Sequence, residues 1–321
     1  VFFFFHKSTQ NELNNFSWLS KETSIIINNW FMMYFLSVVL IGTVYPIFLD
    51  VLSSQKISVG PPFYHTLIIP FLIPFLLIMA IGPKLKWIKS NLEDKIYLFT
   101  ILVISILLSI TIVKNFSSNF LINTILISSA LYLFFITLRD FFSKGFKNLA
   151  QNTAHFGFSL LILSILFNSL FSSEIITNLK VGQTFENSKA KIVFESLSQK
   201  EGENYKSIIG NFVVQDSNGK MENLSPELRI YNQPNITTSE ADIKTTLLSD
   251  KFIVINLVQN QEFFNVRYQH KPFMIWIWIS TLLIILGGLF AIRSGVIKAM
   301  FVSDRVIQNQ SIAFWPFNIV F

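Results

Sequence analysis

The stretch IYLFTILVISILLSITIV, Ile96–Val113, runs for 18 residues without a charged side chain. A helix rises 1.5 Å per residue, and about 20 mostly apolar residues cross the roughly 30 Å hydrocarbon layer of a bilayer. A run of this length and composition therefore reads as a membrane span. Working outward from it finds five more: Ile25–Leu49, Tyr64–Ile81, Phe120–Leu138, Leu149–Phe171 and Phe273–Ile292. The Leu149–Phe171 run is the weakest of these, because Asn152, Thr153 and His155 occupy its first turns. The whole chain agrees with the reading: 51% of its residues are hydrophobic, only 14% are charged and 35 are Phe, too apolar a balance for a water-soluble domain. The expected fold is an α-helical integral membrane protein of about six transmembrane helices, with a β-rich extracytoplasmic domain inserted before the last one. The opening Val1–Phe5 run, without an initiating Met, reads as the tail of an earlier span, so a fragment or a split subunit is expected. Nothing there has the basic start and small-residue cleavage site of a signal peptide.

Orientation follows from Lys and Arg in short loops, which stay on the cytoplasmic side. Lys84, Lys86, Lys89 and Lys95 follow the second span, Arg139, Lys144 and Lys147 the fourth, and Arg293, Lys298 and Arg305 the sixth, while the opposite short loops hold only Lys56 and Lys114. The expected organisation is a cytoplasmic segment over 1–24, a five-helix transmembrane region over 25–171, an extracytoplasmic β-rich domain over 172–270, a last helix over 271–292 and a cytoplasmic tail over 293–321. The net charge of +6 is thus a topology signal, and it calls for no nucleic acid.

The insert reads as short strands: Lys191–Leu197, Lys206–Gln215, Lys220–Tyr231, Lys251–Val258 and Phe263–Tyr268. Asp216-Ser217-Asn218-Gly219 between two of them is a hairpin signal, since Asn and Gly tolerate positive φ. The chain has no Cys, so no disulfide holds this domain and neither thiol redox chemistry nor thiolate ligation is open to it. Between Ser172 and Gln269 there is no His either, and Met221 is the sole sulfur. The insert is therefore expected to dock a protein partner and not to ligate haem.

No nucleotide-binding Gly-rich loop, HExxH zinc pair, nucleophile elbow or intramembrane carboxylate pair is present, and no residue is assigned a catalytic role. Of the four histidines, His6 ends an apolar run, His65 opens the second span and His270 adjoins the sixth; all three read as interfacial residues. His155 differs. Counted from Asn148 it lies about 10 Å along its helix, a depth at which an ionisable side chain is costly unless paired and marks a functional site by default. Gly157, two residues on, would let a neighbouring helix or a flat macrocycle come close. Neutral imidazole is a common axial ligand of haem iron, but a hydrogen bond to another helix accounts for His155 equally well. Lys56–Phe63, with Gly60-Pro61-Pro62, reads as a rigid entry into the second span, Pro70 and Pro74 predict a bent or locally broken helix, and Trp276 and Trp278 read as aromatic belt.

Several stretches, read together, resemble the CcmF family of cytochrome c biogenesis. Leu19-Ser20-Lys21-Glu22-Thr23, Asn28-Asn29 and Gly42-Thr43-Val44-Tyr45-Pro46 are similar to its Ser-Arg-Glu, Asn-Asn and Gly-Thr-Leu-Tyr-Pro series. Lys56–Phe63 is similar to its Lys-Ile-Ser-Val-Gly-Pro-Pro loop and Ala154-His155-Phe156-Gly157 to its Ala-His-x-Gly motif. Glu201–Tyr205, Pro226–Tyr231 and Lys271–Trp278 resemble its outer domain and last helix, with Gly82-Pro83 closing the earlier block. The resemblance implies a subunit of a haem lyase complex, in which a haem b inside the membrane keeps the delivered haem reduced while its vinyl groups form thioethers with apocytochrome c. His155 would be one axial ligand of that haem b iron; its partner and the external haem ligands lie upstream in the family, and nothing here matches them. The implied partners are haem, a haem chaperone like CcmE, a thiol-handling subunit like CcmH, apocytochrome c and the N-terminal half of the same family, in a bacterial inner membrane or the mitochondrial one. The competing reading is a transport or channel subunit in which His155 is a proton or substrate site. Against it stand the lack of repeat symmetry among the spans and of a second intramembrane charge.

Overall fold

The computed structural model describes residues 19–53, 57–87, 94–114, 119–143, 148–216, 219–258 and 262–308, with 294–308 described by their backbone. His6, the Val1–Phe5 run, Lys56, Lys89, Lys144, Lys147, Ser217, Asn218 and the last residues from Asn309 lie outside them. Among the described residues, six helices are long and apolar enough to cross a membrane. The chain divides into two units, one ending at Asn152 and one beginning at Thr153.

The first unit holds α1 (Lys21–Ser53), α2 (Pro61–Ile81) with a 3-10 turn at Gly82–Lys84, α3 (Lys95–Val113) and α4 (Phe120–Ser143). Helix α2 starts as its sequence dictates: Gly60 is extended at φ −100° and Pro61-Pro62 take the first helical positions, where a missing N–H costs nothing. Of the bend or break expected at Pro70 and Pro74, a break does not occur: the helix is continuous through both. Neighbouring side chains support it there. Tyr34 of α1 donates to the Leu67 carbonyl at 2.9 Å, and the Phe75 ring meets those of Phe31 and Phe35 edge to face at 6.0 and 5.5 Å. Helix α4 is the centre of this unit. It packs on both α2 and α3, and Leu126, Ala130, Leu133, Thr137 and Asp140 recur on its buried face at helical spacing. Lys84, after α2, forms an ion pair with Asp140 at the end of α4, each side chain only about a tenth exposed at 12% and 11%. The pair puts the ends of α2 and α4 on one side of the unit, as alternating spans require.

The second unit holds α5 (Leu149–Phe171) from Thr153 on, a β-sandwich and α6 (Met274–Gln308). Helix α5 has the predicted bounds, whereas α6 continues past Ile292 to Gln308, because no proline follows until Pro316 to end it. The strands are β1 (Ser173–Leu179), β2 (Thr184–Glu186), β3 (Ala190–Glu201), β4 (Tyr205–Asp216), β5 (Met221–Leu224), β6 (Glu227–Tyr231), β7 (Thr237–Glu240), β8 (Asp242–Thr245), β9 (Ser249–Leu257) and β10 (Phe264–Pro272). One sheet has the order β1-β10-β9-β8 and the other β2-β3-β4-β6-β7, with β5 also paired to β4. Alternating side chains of both sheets make the core: Ile192 and Phe194 on β3, Phe212 and Val214 on β4, Ile253 and Ile255 on β9 and Val266 on β10 are all 2% exposed or less. Phe194 and Phe212 stack at 4.3 Å, and each such side chain stabilises the fold by about 1.5–3 kcal/mol through burial.

Two expectations change here. The predicted Lys220–Tyr231 strand is two, β5 and β6, because Pro226 offers no ladder donor and the chain steps around it. The domain also runs on to Pro272, so His270 belongs to β10 and not to the start of the last span. Strands β4 and β5 pair as a hairpin on either side of Ser217 and Asn218, which lie outside the described residues; Gly219 has φ +79° and its N–H donates to the Asp216 carbonyl at 2.9 Å.

Candidate functional site

His155 lies six residues into α5, about 9 Å along the axis at 1.5 Å per residue. The residues around it are spent on a helix crossing. A Cβ added at Gly157 would come within 2.9 Å of the Ile284 backbone nitrogen, and one added at Gly287 within 2.7 Å of the Ala154 nitrogen, so α5 and α6 touch backbone to backbone. Of the two uses foreseen for Gly157, the structure shows the neighbouring helix. His155 follows Ala154 by one residue, about 100° round the helix from this crossing, and remains partly exposed. Beside it, Asn152 reaches back from its Nδ2 to the Asp140 carbonyl at 3.3 Å, and Thr153 is buried.

The chemistry of His155 suits one axial position on a haem iron, which takes an imidazole nitrogen as donor. Two other histidines fall among the described residues. His65 is exposed near the start of α2, and His270 is held in a strand. Among the described residues no group of three His, Asp or Glu side chains is placed to hold a metal ion.

The expectations above missed the charge cluster that the sandwich builds near its helix end. Lys251 sits on the inward row of β9 with Ile253 and Ile255, and its ammonium lies 2.9 Å from Asp216 Oδ2 and 3.2 Å from Glu222 Oε2 across the two sheets. Lys220 approaches Glu222 from outside at 2.8 Å. Burial alone would raise the Glu222 carboxyl, but Lys220 and Lys251 outweigh it and hold the group below its ordinary value. Tyr268 on β10 is pushed up to about 12 by burial and by Glu222 and Asp216. His270, opposite Lys251 in the ladder, is pushed down by burial and by the Lys251 charge, against the pull of Asp216 and Glu222. The domain therefore has a histidine of its own. The cluster's two cations and two carboxylates face each other, however, and bind the sheets together without leaving an open donor set. A period-two pattern reading could have found it, since Lys251, Asp216 and Glu222 all fall on core positions of their strands.

The sandwich meets its helices without a linker. Only Ser172 separates α5 from β1, and only Phe273 separates β10 from α6. Asn168 of α5 donates from Nδ2 to the Pro272 carbonyl at 2.6 Å, and the Phe167 and Phe273 rings lie 5.5 Å apart. Trp276, read from the sequence as belt, donates its indole N–H to the Leu247 carbonyl at 2.9 Å.

Known proteins share this arrangement. Residues 170–272 match the family model described as the CcmF C-terminal beta-sandwich. The cytochrome c-type biogenesis protein CcmF of Pseudomonas aeruginosa is 28% identical over 291 residues, 86% of this chain and 44% of that protein. CcmF of Escherichia coli is 28% identical over 297 residues, 89% of this chain and 45% of that one. A solved structure titled Cytochrome c Heme Lyase CcmF superposes with a TM-score of 0.66 at 19% identity, over 85% of this chain and 46% of that one, and so shares its fold. The chain thus spans under half the length of these curated relatives. A multi-pass chain whose β-sandwich stands between its fifth and sixth spans is thus similar to CcmF over more than four fifths of its own residues, and its sandwich to the C-terminal one of that family.

Proposed function

We propose that this chain is the C-terminal part of a haem lyase that attaches haem to apocytochrome c, and that His155 is one axial ligand of a haem b held within the membrane. The observation that carries the reading is Ala154-His155-Phe156-Gly157 in a helix long and apolar enough to span, with His155 clear of the α6 crossing. When bound, haem b supplies one-electron chemistry that keeps delivered haem ferrous. The chain's own part is to hold one imidazole at a fixed height, which the α5–α6 crossing does by locking the helix against rotation. The second ligand and the sites for delivered haem belong to the upstream part of the family's length. A CcmE-like haem chaperone, a CcmH-like thiol-handling subunit and apocytochrome c are the proposed partners, meeting the sandwich on the extracytoplasmic side of a bacterial inner membrane or its mitochondrial counterpart.

The test is to purify the chain alone and together with the N-terminal half of the family. The pair is expected to carry a six-coordinate haem b spectrum and the single chain none. Stoichiometric low-spin haem in the chain alone would count against a shared site. For the topology, reporters fused near Asn218 should lie outside the cytoplasm and those near Lys86 or Lys144 inside, following the Lys and Arg asymmetry. A cytoplasmic Asn218 reporter would reverse the orientation of every span.

A further inference from the structure

Hairpin tips on water-facing sheets are built from Gly, Asn, Asp and Ser. The β8–β9 tip of this sandwich is Thr246-Leu247-Leu248-Ser249, and its two leucines are 68% and 69% exposed. The tip is well ordered by its own bonds: Thr246 N–H donates to the Ser249 carbonyl at 3.0 Å, the Thr246 hydroxyl to the same carbonyl at 2.8 Å, and Ser249 N–H to the Thr246 hydroxyl at 3.1 Å. The carbonyls of its two leucines are tied to the start of the last span. Phe273 N–H donates to Leu248 at 2.8 Å and the Trp276 indole to Leu247 at 2.9 Å.

These bonds fix the level of the tip. A span enters lipid at its first turn, and a Trp there sits at headgroup depth with its N–H toward polar partners. Trp276 is the third residue of α6, so a loop bonded to its indole lies at that same depth. The exposed Lys244, three residues before Leu247 and without an ion pair among the described residues, adds a cation suited to lipid phosphate. We infer that the Leu247-Leu248 tip is a membrane anchor of the sandwich, seating both leucines in the bilayer interface beside the first turn of α6. The occupant is lipid: the tip is continuous with a lipid-entering helix, the carbonyls of both leucines are already bonded within the protein, and its charge complements phosphate. The anchor gives the domain a third attachment besides α5 and α6, and so holds it at a fixed tilt.

The chain has no Cys, so single labels are clean. Leu247→Cys and Leu248→Cys are each spin-labelled in the full chain, reconstituted into phosphatidylcholine–phosphatidylglycerol vesicles. Leu282→Cys on the exposed face of α6 marks lipid, and Glu203→Cys in the β3–β4 turn marks water. Collision with oxygen and with a water-soluble nickel chelate is then read at each site. The tip labels are expected to show an oxygen-to-nickel ratio several-fold above that at Glu203→Cys and approaching Leu282→Cys. Nickel access equal to Glu203→Cys would put the tip in water and end the proposal. Low access to both reagents would mean that protein covers the tip, and would end it equally. Both substituted side chains lie outside the core, so the variants keep the sandwich, which its β circular dichroism checks.

Discussion

Replacing His155 with alanine in the assembled complex is expected to abolish the haem b spectrum and stop cytochrome c maturation, while the chain still inserts and accumulates. The side chain leaves nothing unfilled at the α5–α6 crossing, which is made by Ala154, Gly157, Ile284 and Gly287. Alanine is the best helix former and is at home in an apolar span, so α5 keeps its shape. What goes is the nitrogen proposed to bind iron, and a haem left with a single protein ligand is neither low-spin nor tightly held. His155→Cys should differ from both, since a thiolate changes the spectrum and the potential without removing ligation. His65→Ala is the control, for that residue is exposed near the start of α2 and should leave the spectrum untouched. A normal reduced haem b spectrum with full maturation in His155→Ala would return His155 to a packing role.

Lys251→Ala should cost the sandwich about 3–5 kcal/mol, the range for removing one partner of a buried ion pair. The loss comes less from the missing attraction than from what remains: Glu222 at 4% side-chain exposure and Asp216 at 21% would face each other without their shared cation. Adding Glu222→Gln and Asp216→Asn to Lys251→Met should recover much of it, because neutral groups of the same shape no longer repel. The acid response supplies a second signature. A carboxyl held below its ordinary value in the fold contributes stability that is present above that value, 4.5, and is lost as the pH falls below it. The parent domain should therefore weaken below about pH 4.5 more steeply than Lys251→Ala, where Glu222 has lost one of its two cations. Urea unfolding of the Ser172–Phe273 segment across this range measures both effects. A cost under about 1 kcal/mol would mean that the cluster is open to water and contributes little.

The spans were legible because length and apolarity are local properties. The Leu149–Phe171 run was read to the residue despite Asn152, Thr153 and His155, since nothing else in the insert or the loop before it could prolong the helix. The strong strands β3, β4, β9 and β10 were legible from alternation. Strands β7 and β8 were not, because Thr237–Glu240 and Asp242–Thr245 are polar edge segments whose pairing depends on β6 and β9. Long-range polar pairing was equally hidden. Lys84 counts from sequence as a loop charge marking the cytoplasm, yet it is also the partner of Asp140, 56 residues away. For the candidate site, the sequence identified His155 and left open what Gly157 makes room for; only the fold, with Ile284 against it, decided for the helix.

The direct splice of the sandwich into α5 and α6, with one residue at each joint, has a mechanical consequence. A domain on flexible tethers absorbs a push from whatever binds it. This one is joined to both helices by single residues braced by Asn168 and Trp276, so whatever docks on it meets a surface whose position the α5–α6 pair sets and no tether blurs.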